Sequence, residues 1–146
     1  MFGLVLSELA LARGEAEAAL ALADDMERSL RVVTVRLFRT DALLLRGRAL
    51  RLAGRPAEAQ AALAAARAEA EALGSRRTLW AILAALADLA AEQGQAPEAQ
   101  TLRQQAADVI FFIAAHAGAD ELARSFLNRP PVRQVLQAAG RSTAAA

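Results

Sequence analysis

Apolar residues recur every three or four positions along most of the chain, the spacing of one face of an α-helix. Between residues 34 and 53, Val35, Phe38, Ala42, Leu45, Ala49 and Leu52 keep to a single side. The pattern predicts helices over 2–13, 15–31, 34–53, 56–73, 75–93, 96–117 and 120–127, with a last turn or two over 132–138. Gly74 and Gly118 read as helix ends, Ser75 and Asp120 as N-caps, and Asn128-Arg129-Pro130-Pro131 as a break. The small, polar stretch 139–146 reads as a disordered tail.

An internal repeat organises these helices. Gly14, Gly54 and Gly94 lie 40 residues apart, followed by Gly-Glu-Ala-Glu-Ala-Ala, Gly-Arg-Pro-Ala-Glu-Ala and Gly-Gln-Ala-Pro-Glu-Ala. The same register aligns Ala19, Ala59 and Ala99, and it aligns Ser7, Gly47 and Ala87. Leu9, Ala49 and Leu89 form another set, as do Met26, Ala66 and Ala106. A glycine at each 40-residue mark takes the left-handed conformation that ends one helix. Pro56 and Pro97 then open the next helix, where a missing N–H costs nothing. Glu17, Glu58 and Glu98 near helix starts suit the positive end of the dipole. The small residues allow the two helices of a hairpin to approach closely.

Composition agrees with helix and narrows the chemistry. Of 146 residues, 40 are Ala and 23 are Leu, which favours helix over strand. Cys is absent, which removes disulfides, thiolate metal sites and cysteine nucleophiles. All 17 basic residues are Arg, so a Lys-bearing phosphate loop is excluded. No serine-hydrolase elbow or His-Glu-x-x-His zinc motif occurs. His116, the one histidine, reads as a structural group that complements a helix C-terminus. Asp24, Asp25 and Glu27 read as a solvated helix face rather than a metal site. Trp80 reads as a core residue packed against Phe111 or Phe112, the other reading being an anchor for a partner. No cofactor, no metal and no independent enzyme are expected.

Targeting signals are weak. Residues 1–6 are apolar but lack a preceding basic stretch. The longest uncharged apolar runs, 79–87 and 109–115, fall short of the roughly 20 residues that span a bilayer. A cytoplasmic protein with no membrane contact is expected, and the Ala- and Arg-rich usage suggests a bacterial source. A formal charge of +1 gives no general pull toward nucleic acid.

One charge asymmetry stands out: residues 28–55 hold eight Arg and a single acid, Asp41. Such a patch can recruit an acidic peptide or nucleic acid. Internal pairing with Glu8, Asp88, Glu58 and Glu69 is the leading expectation.

Gly47, Gly54, Ala59, Leu63 and Ala66 in one repeat, and Leu86, Ala87, Gly94, Ala99 and Ala106 in the next, resemble tetratricopeptide (TPR) repeats. The period of 40 exceeds the usual 34 of that family. The run 79–86 after Gly-Arg-Pro-Ala-Glu-Ala is similar to long-repeat TPR arrays at the C-terminus of bacterial signalling ATPases, including adenylate-cyclase-like and MalT-like regulators. Residues 125–130 with Val132-Arg133 resemble the closing segment of such arrays. The resemblance implies an all-α superhelix, a TPR-like solenoid of three helical hairpins plus a short closing helix. Its repeats would span about 1–33, 34–74 and 75–117, closed by 119–138. It also implies a non-catalytic protein–protein interaction scaffold, or alternatively the regulatory C-terminal segment of a larger signalling ATPase, cyclase or transcriptional activator. The partner would be a protein or peptide, an acidic one included, or an upstream domain of the parent protein, with no nucleic acid.

In TPR-like stacks the first helix of each pair lines the concave side. The 40-residue register then places Glu8, Arg48 and Asp88 in one ladder of alternating charge. Asp41, Leu44, Arg48 and Arg51 form its stripe on one helix, with Leu11 and Ala84 on the neighbouring helices. Arg51, whose register companions Leu11 and Ala91 carry no charge, is the expected grip for an acidic ligand. Phe2, Leu4, Val5 and Leu6 are expected to leave an apolar patch at the open end of the stack, as in a piece of a longer array.

Overall fold

The computed structural model describes residues 8, 11, 14–33 and 36–143. The protein is all-α: the described residues form helices α1 (Ala16–Val33), α2 (Arg36–Leu52), α3 (Pro56–Ala72), α4 (Arg76–Glu92), α5 (Ala96–Ala115), α6 (Asp120–Leu127) and α7 (Pro130–Ala138), with no strand among them. Glu8 and Leu11 are also helical. The rest of the first predicted helix, with Phe2, Leu4, Val5, Leu6, Ser7 and Leu9, lies outside the described residues. The chain divides into two compact units, 1–74 and 75–146.

The 40-residue glycine register is a backbone device. Gly14, Gly54 and Gly94 have φ of +73°, +71° and +76°, a conformation that costs most residues free energy through their Cβ. At Gly54 the N–H donates to the Arg51 carbonyl (3.1 Å) and the Arg55 N–H reaches back to the Leu50 carbonyl (2.9 Å). The same pair recurs at Gly94, with Ala91 and Ala90 accepting at 3.1 and 2.9 Å. These are paired C-terminal caps that satisfy carbonyls the helix leaves open. Each new helix starts in the same register, with the N–H of Ala19, Ala59 and Ala99 donating to residues 15, 55 and 95.

In the first unit α2 packs against α1 on one side and α3 on the other. Gly47 lies directly against α3. A Cβ added there would lie 2.5 Å from Cγ and Cδ2 of Leu63, which is fully buried. The contacts Gly47–Leu63 and Arg39–Glu69 run in opposite directions along the two helices, so the hairpin is antiparallel. Contact on two sides also explains why the apolar stripe is wider than its spacing suggests. Ala42, Leu45 and Ala49 are buried as expected, but so are Leu43, Leu44 and Leu50. Phe38 and Leu52, at the ends of the stripe, are exposed by 38% and 49%. Val35 lies outside the described residues.

In the second unit α4 and α5 form the main hairpin, and α6 and α7 pack on α5. Ile82, Leu89, Ile110, Val132 and Leu136 are almost wholly buried. Trp80 is a core residue, but its aromatic partner is Phe126 of α6, edge-on at 6.4 Å, rather than Phe111 or Phe112. Phe112 instead stacks on His116 at 4.0 Å and carries the Arg76 guanidinium 4.0 Å from its ring centre.

Several predicted boundaries shift. Ser75 occupies the N-cap of α4 without a side-chain cap bond. Ala119, not Asp120, is the N-cap of α6, and Asp120 starts the first turn. Helix α7 begins at Pro130, two residues before the predicted turn, because both prolines fit the first turn, where no N–H is required. Helix α5 ends at Ala115, where the His116 N–H is shared between the Phe112 and Ile113 carbonyls at 3.2 Å.

The stretch read as a disordered tail is tied down at its start. Gln104 Nε2 donates to the Ala139 carbonyl (2.7 Å), and Arg141 Nη1 lies 3.3 Å from both Asp108 Oδ1 and Gln104 Oε1. The Arg141 guanidinium also sits 5.0 Å from the centre of the Phe111 ring. Because these contacts are solvent-exposed, Arg141→Ala is expected to cost only about 1 kcal/mol. Hydrogen exchange should show the loss at 139–143, with α4 unchanged.

Candidate interaction surface

The arginine-rich run 28–55 is largely neutralised from within its own unit. Arg46 Nη1 lies 2.8 Å from Asp24 Oδ1 and 2.7 Å from Glu27 Oε2, joining α2 to α1. Those two acids stand three residues apart on one face of α1, so a single guanidinium reaches both. Arg48 Nη1 bonds Glu8 Oε1 at 3.2 Å, which is half of the expected ladder. Arg39 meets Glu69 at 3.9 Å, Arg28 meets Asp25 at 3.8 Å, and Arg55 grips Glu58. The side chains of Arg31 and Arg36 lie outside the described residues.

The Arg55–Glu58 pair is two-pronged, with Nε on Oε1 at 2.8 Å and Nη2 on Oε2 at 2.7 Å. This hydrogen bonding holds the Glu58 carboxyl below its ordinary range and raises Arg55 further above its own. A depressed carboxyl contributes stability above its unfolded pKa and loses it as pH falls through the folded value. The contribution is therefore intact at neutral pH and disappears in acid. A carbon-detected NMR titration should place the Glu58 midpoint below that of a free glutamate, about 4.3. Arg55→Gln should restore the ordinary midpoint.

The predicted groove residues differ in exposure. Leu44 is buried (6% exposed) and belongs to the core of α2. Asp41, Arg48 and Arg51 are half-buried, as is Leu11, and Glu8 is exposed. Arg51 and Asp41 have interactions of their own. Ala84 is half-buried and Asp88 exposed, both on α4 in the other unit. Asp88 is likewise engaged.

Of the remaining candidate groups, His116 caps α5, its Nδ1 lying 2.8 Å from the Phe112 carbonyl. Asp24 and Glu27 hold Arg46 rather than facing solvent alone. Among the described residues no cluster of His, Asp and Glu is arranged to hold a metal ion. No described helix is long and apolar enough to cross a membrane.

A second basic region differs from the first. From residue 122 to the C-terminus there are four Arg and no Asp or Glu. Arg141 is held by Asp108, whereas the exposed side chains of Arg124, Arg129 and Arg133 form no ion pair among the described residues. This asymmetry was visible in the sequence, but the longer 28–55 run overshadowed it. The chain matches no protein-family model, no curated protein and no solved structure.

Proposed function

We infer that the chain is a non-catalytic protein–protein interaction scaffold, a TPR-like array acting in the cytoplasm. The supporting observation is that most of the 40-residue register is structural among the described residues. Its glycines form left-handed caps. Ala19, Ala59 and Ala99 are buried together with Ala66, Ala87 and Ala106, and Gly47 lies directly against Leu63 of α3. A chain built from repeated hairpins presents helix surfaces rather than a single enclosed site, which suits binding of extended partners. By the sequence resemblance, the pair α6–α7 would be the closing segment of TPR arrays such as those of bacterial signalling ATPases, cyclases and transcriptional activators. It favours a second reading, in which the partner is an upstream domain of the same parent protein.

A pull-down from source-cell extract tests the scaffold. The wild-type chain is expected to retain a protein at near-stoichiometric amount, and Gly47→Val/Trp80→Ala, which disrupts the helix packing of both units, is expected to release it. Equal retention by both chains, or turnover of a small molecule by the purified chain, would overturn the proposal.

A further inference from the structure

We propose that the exposed arginines of α6 and α7, not the longer run 28–55, are where this scaffold meets an acidic protein segment; the proposal rests on the scaffold reading above. In the first run Arg39, Arg46, Arg48 and Arg55 already hold carboxylates of their own unit. A partner would have to displace those acids to use them. Arg124, Arg129 and Arg133 carry no such partner among the described residues, so their charge is available at no exchange cost.

The three positions are placed by the helices. Arg129 is the N-cap of α7, and Arg133 follows one turn later, its N–H donating to the Arg129 carbonyl at 3.0 Å. Residues four apart share a helix face. Arg124 is fixed along α6 by its Nε, 3.3 Å from the Asp120 carbonyl. It also borders a groove of about 730 Å³ with a mixed lining, Ala114, Ala119, Ala123 and Leu127 beside Asp120 and Thr143. On the same helix Leu122 is 60% exposed. Guanidinium groups beside exposed aliphatic surface fit a peptide that carries both carboxylates and apolar side chains.

The same geometry disfavours phosphate. Pro130 and Pro131 occupy the first two positions of α7 and remove two of the N–H donors that a helix start would offer a phosphate. Phe126, the aromatic of α6, is engaged with Trp80 and is not presented for base stacking. Arginine side chains alone do the recognising; their fork takes carboxylate and phosphate alike, so the missing backbone donors are what favour the carboxylate.

Fluorescence anisotropy of a labelled oligo-glutamate peptide tests this at low and physiological salt. Two variants carry the same charge change, from +1 to −2: Arg124→Gln/Arg129→Gln/Arg133→Gln, and Arg39→Gln/Arg48→Gln/Arg55→Gln as control. Circular dichroism confirms that both keep their helix. The first variant is expected to bind roughly tenfold more weakly, a few-fold per exposed arginine, and the control within about twofold of wild type. Equal weakening in both variants overturns the placement and leaves the scaffold reading standing. Tighter binding of a single-stranded oligonucleotide of matched charge, or no peptide binding by the wild type, overturns the acidic-protein assignment. Sedimentation showing the wild type self-associated through these arginines would make a second copy the occupant and also overturn it. Failure of the scaffold itself appears separately, as a wild-type chain that retains no protein in the pull-down.

Discussion

Gly47→Val lowers the stability of the first unit by about 2–4 kcal/mol, a cost set by overpacking at a helix contact. The missing Cβ is what lets α2 lie against α3, since even a methyl would meet Cγ and Cδ2 of Leu63 at 2.5 Å. Leu63 is fully buried and cannot swing out, because neighbouring Ala59, Ala62 and Ala66 are buried as well. Gly47→Ala separates the two opposing effects. Helix propensity gains about 1 kcal/mol and overpacking costs ~1–3, so a net loss is expected. Urea unfolding followed by far-ultraviolet circular dichroism measures both variants; Trp80 lies in the other unit and is a poor reporter. Leu63→Ala in the Gly47→Ala background should recover part of the loss, with a coupling of roughly 0.5–3 kcal/mol. A more stable Gly47→Ala protein would show that the helices have room to spare.

Trp80→Ala should destabilise the second unit by about 3–5 kcal/mol, the range for truncating a large buried aromatic. Trp80 is 8% exposed and meets Phe126 edge-on, so the truncation removes core volume from α4 and loosens α6 with it. Phe126→Leu keeps most of the apolar volume and loses the ring contact, at about 1 kcal/mol. Its unfolding can be followed through the fluorescence of Trp80, the one tryptophan. A Trp80→Ala protein with wild-type stability would mean that α6 is held by α5 alone.

The helices were legible because local chemistry and packing agree. Glycine at 14, 54 and 94 ends helices through backbone conformation, which depends on no distant partner. The periodic apolar residues then choose the faces. Pairings across helices were less legible. The companion of Arg48 at Glu8 followed from the repeat, but Arg46 with Asp24 and Glu27 did not, since it depends on how α1 lies against α2. Leu44 was misplaced for a related reason: a four-residue stripe cannot show that its helix is covered on two sides. Phe126 was missed as the partner of Trp80 because α6 lies outside the repeat and no register fixes its position. The sequence holds the arginines of α6 and α7 in plain view. Their significance emerged only once the larger run was seen to be paired internally.

The most direct measurement is site-specific photo-cross-linking in the cells that express the protein. A photoreactive amino acid replaces Leu122 of α6 in one version and Arg55 in the other. The account predicts a protein adduct from position 122, lost in the Arg124→Gln/Arg129→Gln/Arg133→Gln background, and little from position 55. An adduct that forms at position 55, or that persists at position 122 without those arginines, would contradict it.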